Sequence, residues 1–280
     1  MNRHPIAVFD SGVGGLSVVR HLRRLLPHES LVYFGDTARV PYGSKSRRTV
    51  TTFALELARF LLQYDPKTMV VACNTASALA LDTLAADLPV PVVGVVEPAA
   101  RAAVDVARGG VIAILGTEAT ISSDAYPRAI TALDPAADVV SVACPLFVPL
   151  VEEGRESGDA VVAAIANEYL APMRAKDVRA AVLGCTHYPM LRAAIASALG
   201  ADVQLVDSGL EASKAVRDGL AAAGRLSTRD EPASMRCFVS DNPARFRRVG
   251  ARFLEHELDD VEFVEPERYI SGALPHAEPL

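Results

Sequence analysis

The sequence contains no tryptophan, and aromatic residues fill 6% of its 280 positions. Lysine and arginine together number 28 against 34 aspartates and glutamates, which leaves a formal charge of −6. Nucleic-acid partners need basic stripes for phosphate and aromatic platforms for bases, so no nucleic-acid role is expected. No apolar run is long enough to span a bilayer, and no leader-like stretch precedes the first strand-like run at Ile6. Neither a membrane role nor secretion is expected, and the anticipated location is the cytoplasm. The sequence begins almost at that first strand, so no N-terminal regulatory extension is expected either. There are four cysteines, Cys73, Cys144, Cys185 and Cys237, and none shows C-x-x-C spacing. In a reducing compartment they read as free thiols, and each taken alone reads as a small buried hydrophobe. The glycine-rich turn after Asp10 lacks the last glycine of a dinucleotide fingerprint, because Ser17 stands there. The lysines Lys45, Lys67, Lys176 and Lys214 sit in loops or helices and none closes a strand, which argues against a pyridoxal Schiff base.

Half of the residues are apolar, enough for one large core or two ordinary ones. They are arranged in short continuous strand-like runs separated by helical periodicity. Strands are expected at 6–9, 31–34, 69–72, 91–96, 111–115, 138–142, 180–183, 203–206 and 236–239. Helices are expected at 16–26, 49–64, 77–88, 122–133, 159–173 and 191–199, with two more beyond 211. Strands that are apolar throughout, between helices, imply parallel sheets covered on both faces. The fold class is α/β, doubly wound.

A weak internal repeat overlies this pattern. Met69–Val70–Val71–Ala72–Cys73–Asn74–Thr75 leads into a helix, a strand and Glu97. Ala180–Ala181–Val182–Leu183–Gly184–Cys185–Thr186–His187 leads into a helix, a strand and Asp207. Upstream, the run ending in Asp10–Ser11–Gly12 echoes the run ending in Gly116–Thr117. Two similar domains are therefore expected, residues 1–97 with 207–280 and residues 98–206, with a ligand cleft between them. Residues after about Ser271 carry glycine and proline without periodicity and are expected to fray.

Ligands of open α/β sheets bind outside the carboxyl ends of strands, where Cys73 and Cys185 both fall, one per domain. Each cysteine precedes a helical pattern, and helix N-termini favour the thiolate. Two thiols on opposite faces of one ligand suit inversion of a carbon bearing an acidic C–H. One removes the proton as thiolate while the other supplies one as thiol. Asp10 and His187 stand near the two thiols and can tune them. Ser11, Asn74, Thr75 and Thr186 offer neutral donors for carboxylates. The glycine turn lets backbone approach a ligand, and Pro41–Tyr42–Gly43 is placed to cover the cleft with a phenol. Other readings stand beside these. Asp10–Ser11 serves equally as a helix cap, Pro41–Tyr42–Gly43 as an ordinary turn, and His187 as a structural hydrogen bonder. Cys144 reads as structural or as a support behind the site residues, and Cys237 as core. Glu152–Glu153 read as a solvated helix start, with Glu152 able to border the cleft.

Taken together, several stretches resemble the cofactor-independent aspartate/glutamate racemase family. They are Phe9–Asp10–Ser11–Gly12–Val13–Gly14–Gly15–Leu16, Phe34–Gly35–Asp36 through Pro41–Tyr42–Gly43, Ala72–Cys73–Asn74–Thr75–Ala76–Ser77 and Gly94–Val95–Val96–Glu97–Pro98. The series continues with Cys144–Pro145–Leu146–Phe147–Val148–Pro149–Leu150, Leu183–Gly184–Cys185–Thr186–His187–Tyr188–Pro189 and Val206–Asp207–Ser208–Gly209. The resemblance implies two pseudosymmetric α/β domains, mainly parallel sheets, an interdomain active site and a homodimer. It implies interconversion of L- and D-glutamate without pyridoxal phosphate, metal or other cofactor, supplying D-glutamate for bacterial peptidoglycan. By position, Cys73 and Cys185 are the proton donor/acceptor pair, assisted by Asp10 and His187. Asp10, Ser11, Tyr42, Gly43, Asn74, Thr75, Thr186 and His187 bind substrate, with Thr117 and Thr120 as lesser candidates.

The residues alone leave other readings open. One is a racemase of another acidic amino acid such as aspartate. A second is a thiol hydrolase using one cysteine with His187, for which no orienting partner is evident in sequence. A third is a non-catalytic dicarboxylate-binding protein. A zinc site from Cys73, Cys185, His187 and Asp10 has suitable ligand types but no matching spacing.

Overall fold

The computed structural model describes residues 3–231 and 233–270; the expectation for the chain beyond Ser271 lies outside them. Among the described residues, ten strands form two sheets in which every pairing is parallel. They are β1 (Ile6–Asp10), β2 (Leu31–Gly35), β3 (Thr68–Val71), β4 (Val92–Gly94), β5 (Val111–Gly116), β6 (Val139–Ala143), β7 (Val178–Gly184), β8 (Gln204–Asp207), β9 (Met235–Val239) and β10 (Val261–Phe263). The six-stranded sheet runs β10-β9-β2-β1-β3-β4 and the four-stranded sheet β6-β5-β7-β8. The order 2-1-3-4 in one sheet is repeated as 6-5-7-8 in the other. Cys73 and Cys185 therefore follow equivalent strands, β3 and β7.

The chain returns to the first sheet through β9, which pairs with β2 from Leu31↔Met235 to Gly35↔Val239. The central strands β1, β2 and β3 are buried at every position, as the lack of polar alternation in them requires. One apolar cluster joins one face of each sheet, with Val8, Leu16, Leu183 and Tyr188 among its members. The outer face of the first sheet is covered by the helices Arg47–Leu62 and Asn74–Asp87. Helix Val96–Ala107 covers the other face of the second, where Ala78 of helix Asn74–Asp87 also packs.

Two local departures from the sequence reading have physical causes. Residues 91–96 were expected as one strand, but β4 stops at Gly94 and helix Val96–Ala107 follows. Pro98 lies in the first turn, where a missing N–H costs nothing, and Val96, Ala99, Ala100, Ala103 and Ala107 form its buried stripe. The helix expected from 122 is two helices, Glu118–Ser122 and Ala125–Leu133, broken at Asp124 with φ 54°. The helix expected over 191–199 runs Arg192–Leu199, behind a 3-10 turn at Tyr188–Leu191.

Candidate active site

The carboxyl ends of β1, β3, β5 and β7 meet at the seam between the sheets. A cavity of about 390 Å³ opens there, lined from one side by Ser11, Tyr42, Gly43, Cys73, Asn74 and Thr75 and from the other by Thr117, Glu152, Cys185, Thr186 and His187. The two thiols are 6% and 7% exposed and both face this cavity. Cys144 and Cys237 are buried in the core, as expected from sequence.

Cys73 caps helix Asn74–Asp87, its sulfur accepting from the Ala76 N–H at 3.4 Å, and it donates to Ser11 Oγ at 3.6 Å. The helix end was expected to favour thiolate, but the balance goes the other way. Burial, reinforced by the Asp10 carboxylate, outweighs the Ala76 and Ser11 hydrogen bonds and pushes the Cys73 thiol up to about 12. Asp10 stands behind the cavity wall rather than in it. It is fully buried, with Oδ2 accepting from the Gly12 N–H at 3.0 Å. Burial raises its carboxyl, against the charge of His187 and the N–H groups of Gly12, Gly15 and Ser11.

The Cys185 side is built differently. His187 Nδ1 lies 3.9 Å from Cys185 Sγ and 3.3 Å from Thr186 Oγ1. Its Nε2 lies 3.2 Å from Glu152 Oε1. Burial alone would lower the imidazole's proton affinity, but the hydrogen bonds to Cys185 and Glu152 overcome it and bring His187 to about 10. Glu152 is held below the usual carboxylate range, chiefly by that His187 hydrogen bond. Sequence reading missed its role. Glu152 ends helix Phe147–Glu152 rather than starting one, and only folding brings it to His187.

Other predicted residues arrive with their polar groups already engaged. The Tyr42 hydroxyl donates to Asp36 Oδ2 at 2.5 Å and is no free donor to the cleft. Asp36 also accepts from Ser240 at 2.9 Å and Arg39 at 2.7 Å, which fixes the loop ahead of Tyr42. The Asn74 amide accepts from Tyr126 at 2.5 Å and donates to Ser208 at 3.3 Å. Thr75, Thr117 and Thr120 close a triangle of hydroxyls, with 2.9 Å between Thr75 and Thr117, 3.2 Å between Thr75 and Thr120 and 3.0 Å between Thr117 and Thr120. The glycine turn serves packing between the halves: a Cβ on Gly14 would lie 2.2 Å from Thr186 Oγ1 and 2.5 Å from the His187 ring. Among the described residues, no group of three or more His, Cys, Asp or Glu side chains is arranged to hold a metal ion.

Fold and cleft together define a class: a two-sheet parallel α/β protein with paired thiols facing one amino-acid-sized pocket. The model of the Asp/Glu/Hydantoin racemase family matches residues 14–216. The chain belongs to that family. A glutamate racemase of Geobacter metallireducens is 50% identical over 256 residues, 91% of this chain and 94% of that protein. Among solved structures, a Bacillus anthracis glutamate racemase superposes with a TM-score of 0.91 at 38% identity, covering 95% of this chain and 98% of that one. A Francisella tularensis glutamate racemase in complex with D-glutamate superposes at 0.89 with 40% identity, covering 96% and 100%.

Proposed function

We propose that this protein is a glutamate racemase that interconverts L- and D-glutamate with Cys73 and Cys185 as its acid–base pair. The observation that carries the mechanism is the placement of both thiols on one cavity, contributed by equivalent strand ends of the two sheets. Close relatives over nearly the full chain support the substrate. D-Glutamate for cell-wall peptidoglycan is the product such an enzyme supplies.

One thiolate takes the α-proton and becomes a thiol. The electron pair left on Cα is delocalised into the adjacent carboxylate. The thiol on the opposite face then gives its proton to Cα and becomes the thiolate. The opposite enantiomer is handled with the roles exchanged. The site is asymmetric. Burial and Asp10 keep Cys73 as thiol, whereas a protonated His187, held by Glu152, stands 3.9 Å from the Cys185 sulfur. Asp10 acts on the Cys73 side through its charge rather than by touching substrate. Ser11, Thr75, Thr117, Thr186 and the backbone at Gly43 are the groups available to the substrate's carboxylates and amine. Glu152 does supply the orienting partner that a cysteine hydrolase would need, but that scheme leaves Cys73 without a task. The pocket sits in the expected homodimer as each subunit's own site.

The test is exchange at the α-carbon. L-Glutamate incubated with the protein in heavy water loses optical rotation and gains α-deuterium. Retention of both rotation and α-protium would sink the reading, and L-aspartate run alongside measures the preference between the two substrates.

A further inference from the structure

Helix Pro243–Leu254 belongs to the return segment. Its apolar residues Phe246, Val249 and Phe253 join the core shared by the two sheets. The helix reaches across the seam to the Cys185 half of the site at three points. Arg245 Nη2 donates to Glu152 Oε2 at 3.1 Å. Arg252 Nη1 donates to the Val151 carbonyl at 2.9 Å. The Phe253 ring meets His187 edge-on, with centroids 5.0 Å apart.

Glu152 is the last residue of its helix, where the carbonyl end of the helix dipole disfavours an anion. A carboxylate placed there needs cations. Its two oxygens are divided between two of them, Oε1 to His187 and Oε2 to Arg245. One donor leaves a carboxylate free to swing about its χ angles, whereas two on opposite oxygens hold it. The charged groups around the relay are few. Glu152 faces His187 and Arg245, has Arg252 on the neighbouring carbonyl, and shares a small cavity of about 90 Å³ with Asp241. His187 faces Cys185 and Glu152 and feels the charge of Asp10.

We propose that Arg245 is a positioning residue: from the return helix it holds Glu152 against His187, and thereby governs the proton that His187 presents to Cys185. This rests on the two-thiol reading above. The Arg245 side chain is 45% exposed, so its hold is open to screening by salt.

The sign of one measurement separates positioning from a mere charge effect. Removing the guanidinium charge by itself makes His187 a stronger base. Removing the hold on Glu152 loosens the Nε2 hydrogen bond and makes His187 a weaker base. Positioning requires the second effect to win. The experiment compares wild type, Arg245→Gln, Arg245→Lys and Glu152→Gln by NMR titration of the His187 ring and by α-proton exchange with each glutamate enantiomer. In Arg245→Gln the His187 titration and the basic limb of the rate profile should move to lower pH. Its kcat should fall about 5- to 30-fold with KM within about twofold, the loss expected from one charge-assisted hydrogen bond. Arg245→Lys should restore most of the rate. In a Glu152→Gln background, Arg245→Gln should cost less than twofold more. An unmoved or upward-moving His187 titration overturns the proposal, whether or not the protein turns over. So does an Arg245→Gln effect that adds in full to that of Glu152→Gln. Absence of exchange in the wild type, by contrast, sinks the racemase reading, and the titration still decides the role of Arg245.

Discussion

The hydroxyls of Thr75 and Thr117 lie 2.9 Å apart across the seam between the two sheets. Thr75 is carried by the helix that follows Cys73, and Thr117 caps the helix that follows β5. Gly43 reinforces the same junction, since its carbonyl accepts from the Ala119 N–H at 2.9 Å and a Cβ on it would meet Thr117 at 2.7 Å. The Thr75 side of the pocket is therefore assembled from both halves of the molecule. Thr117→Val should raise KM for glutamate about 5- to 15-fold, the worth of one net hydrogen bond, and leave kcat within about threefold. Steady-state kinetics in both directions check it, and an unchanged KM would remove Thr117 from the binding surface.

Cys73→Ser and Cys185→Ser should each lower racemisation by at least about a thousandfold, because each face of Cα needs its own proton carrier. Cys237→Ala, buried in the core away from the pocket, should change stability by about 1 kcal/mol and leave turnover within about twofold. A serine variant at either site thiol with near-normal turnover would refute the two-thiol mechanism.

The Glu152–His187 pair also stabilises the fold in a defined pH window. His187 is raised in the folded state from 6.5 to about 10, so its contribution is complete below 6.5 and fades as pH rises through 10. Glu152 is lowered from 4.5, so its contribution is present above 4.5 and fades as pH falls. The stability difference between wild type and Glu152→Gln should therefore be greatest between about pH 4.5 and 6.5, at about 1–2 kcal/mol, and shrink toward pH 10. Urea unfolding at pH 5.5, 8 and 10 measures it. A difference that grows with pH would contradict the assignment.

Far from the pocket, Lys67 and Glu29 form a buried ion pair at 2.5 Å, with side chains 0% and 3% exposed. Lys67 also donates to the Arg225 carbonyl at 3.0 Å, and Glu29 accepts from the Ser227 N–H at 2.7 Å. The pair thus ties the return segment to the starts of β2 and β3. Lys67→Met leaves the Glu29 carboxylate buried without its cation and should cost about 3–5 kcal/mol. A Lys67→Met, Glu29→Leu double variant should recover part of that loss. Denaturant unfolding of the three proteins decides it, and additive losses would mean the pair is uncoupled.

Gly14→Ala places a methyl group within 2.2 Å of Thr186 and 2.5 Å of the His187 ring. Overpacking of this kind costs about 1–3 kcal/mol. Because the strain falls on His187, the rate should drop more than stability alone explains, with a displaced His187 NMR signal. A normal His187 signal and rate would show that the seam has room to spare.

Much of this was legible in residue order. The apolar runs that became β1, β2 and β3 have no polar alternation, and only strands buried on both faces suit that pattern. Both site cysteines could be placed at strand ends because each run stops one or two residues before its cysteine. Helix Val96–Ala107 was hidden, because its alanine-rich stripe is weak and Pro98 looks like a boundary. Glu152 reads from sequence as a solvated helix start able to border the cleft; it does line the cavity, but its partners are hidden, because His187 lies 35 residues away and Arg245 lies 93 away. The glycine turn looked like a ligand cradle and proved to be the place where one half of the protein meets Thr186 and His187.

By itself, then, the sequence determined the parallel α/β class, the repeat, and the two thiols that end equivalent strands, because those follow from local periodicity and chain order. Tertiary structure decided what surrounds each thiol and which donors remain free. Burial beside Asp10 makes Cys73 a poor acid despite its helix end. Glu152 and Arg245 support the His187 beside Cys185, and the Tyr42 phenol and Asn74 amide are committed to Asp36 and to Tyr126 with Ser208. Proton affinity and hydrogen-bond partnership depend on solvent exclusion and on charges a few ångströms away, and those are properties of packing rather than of order along the chain.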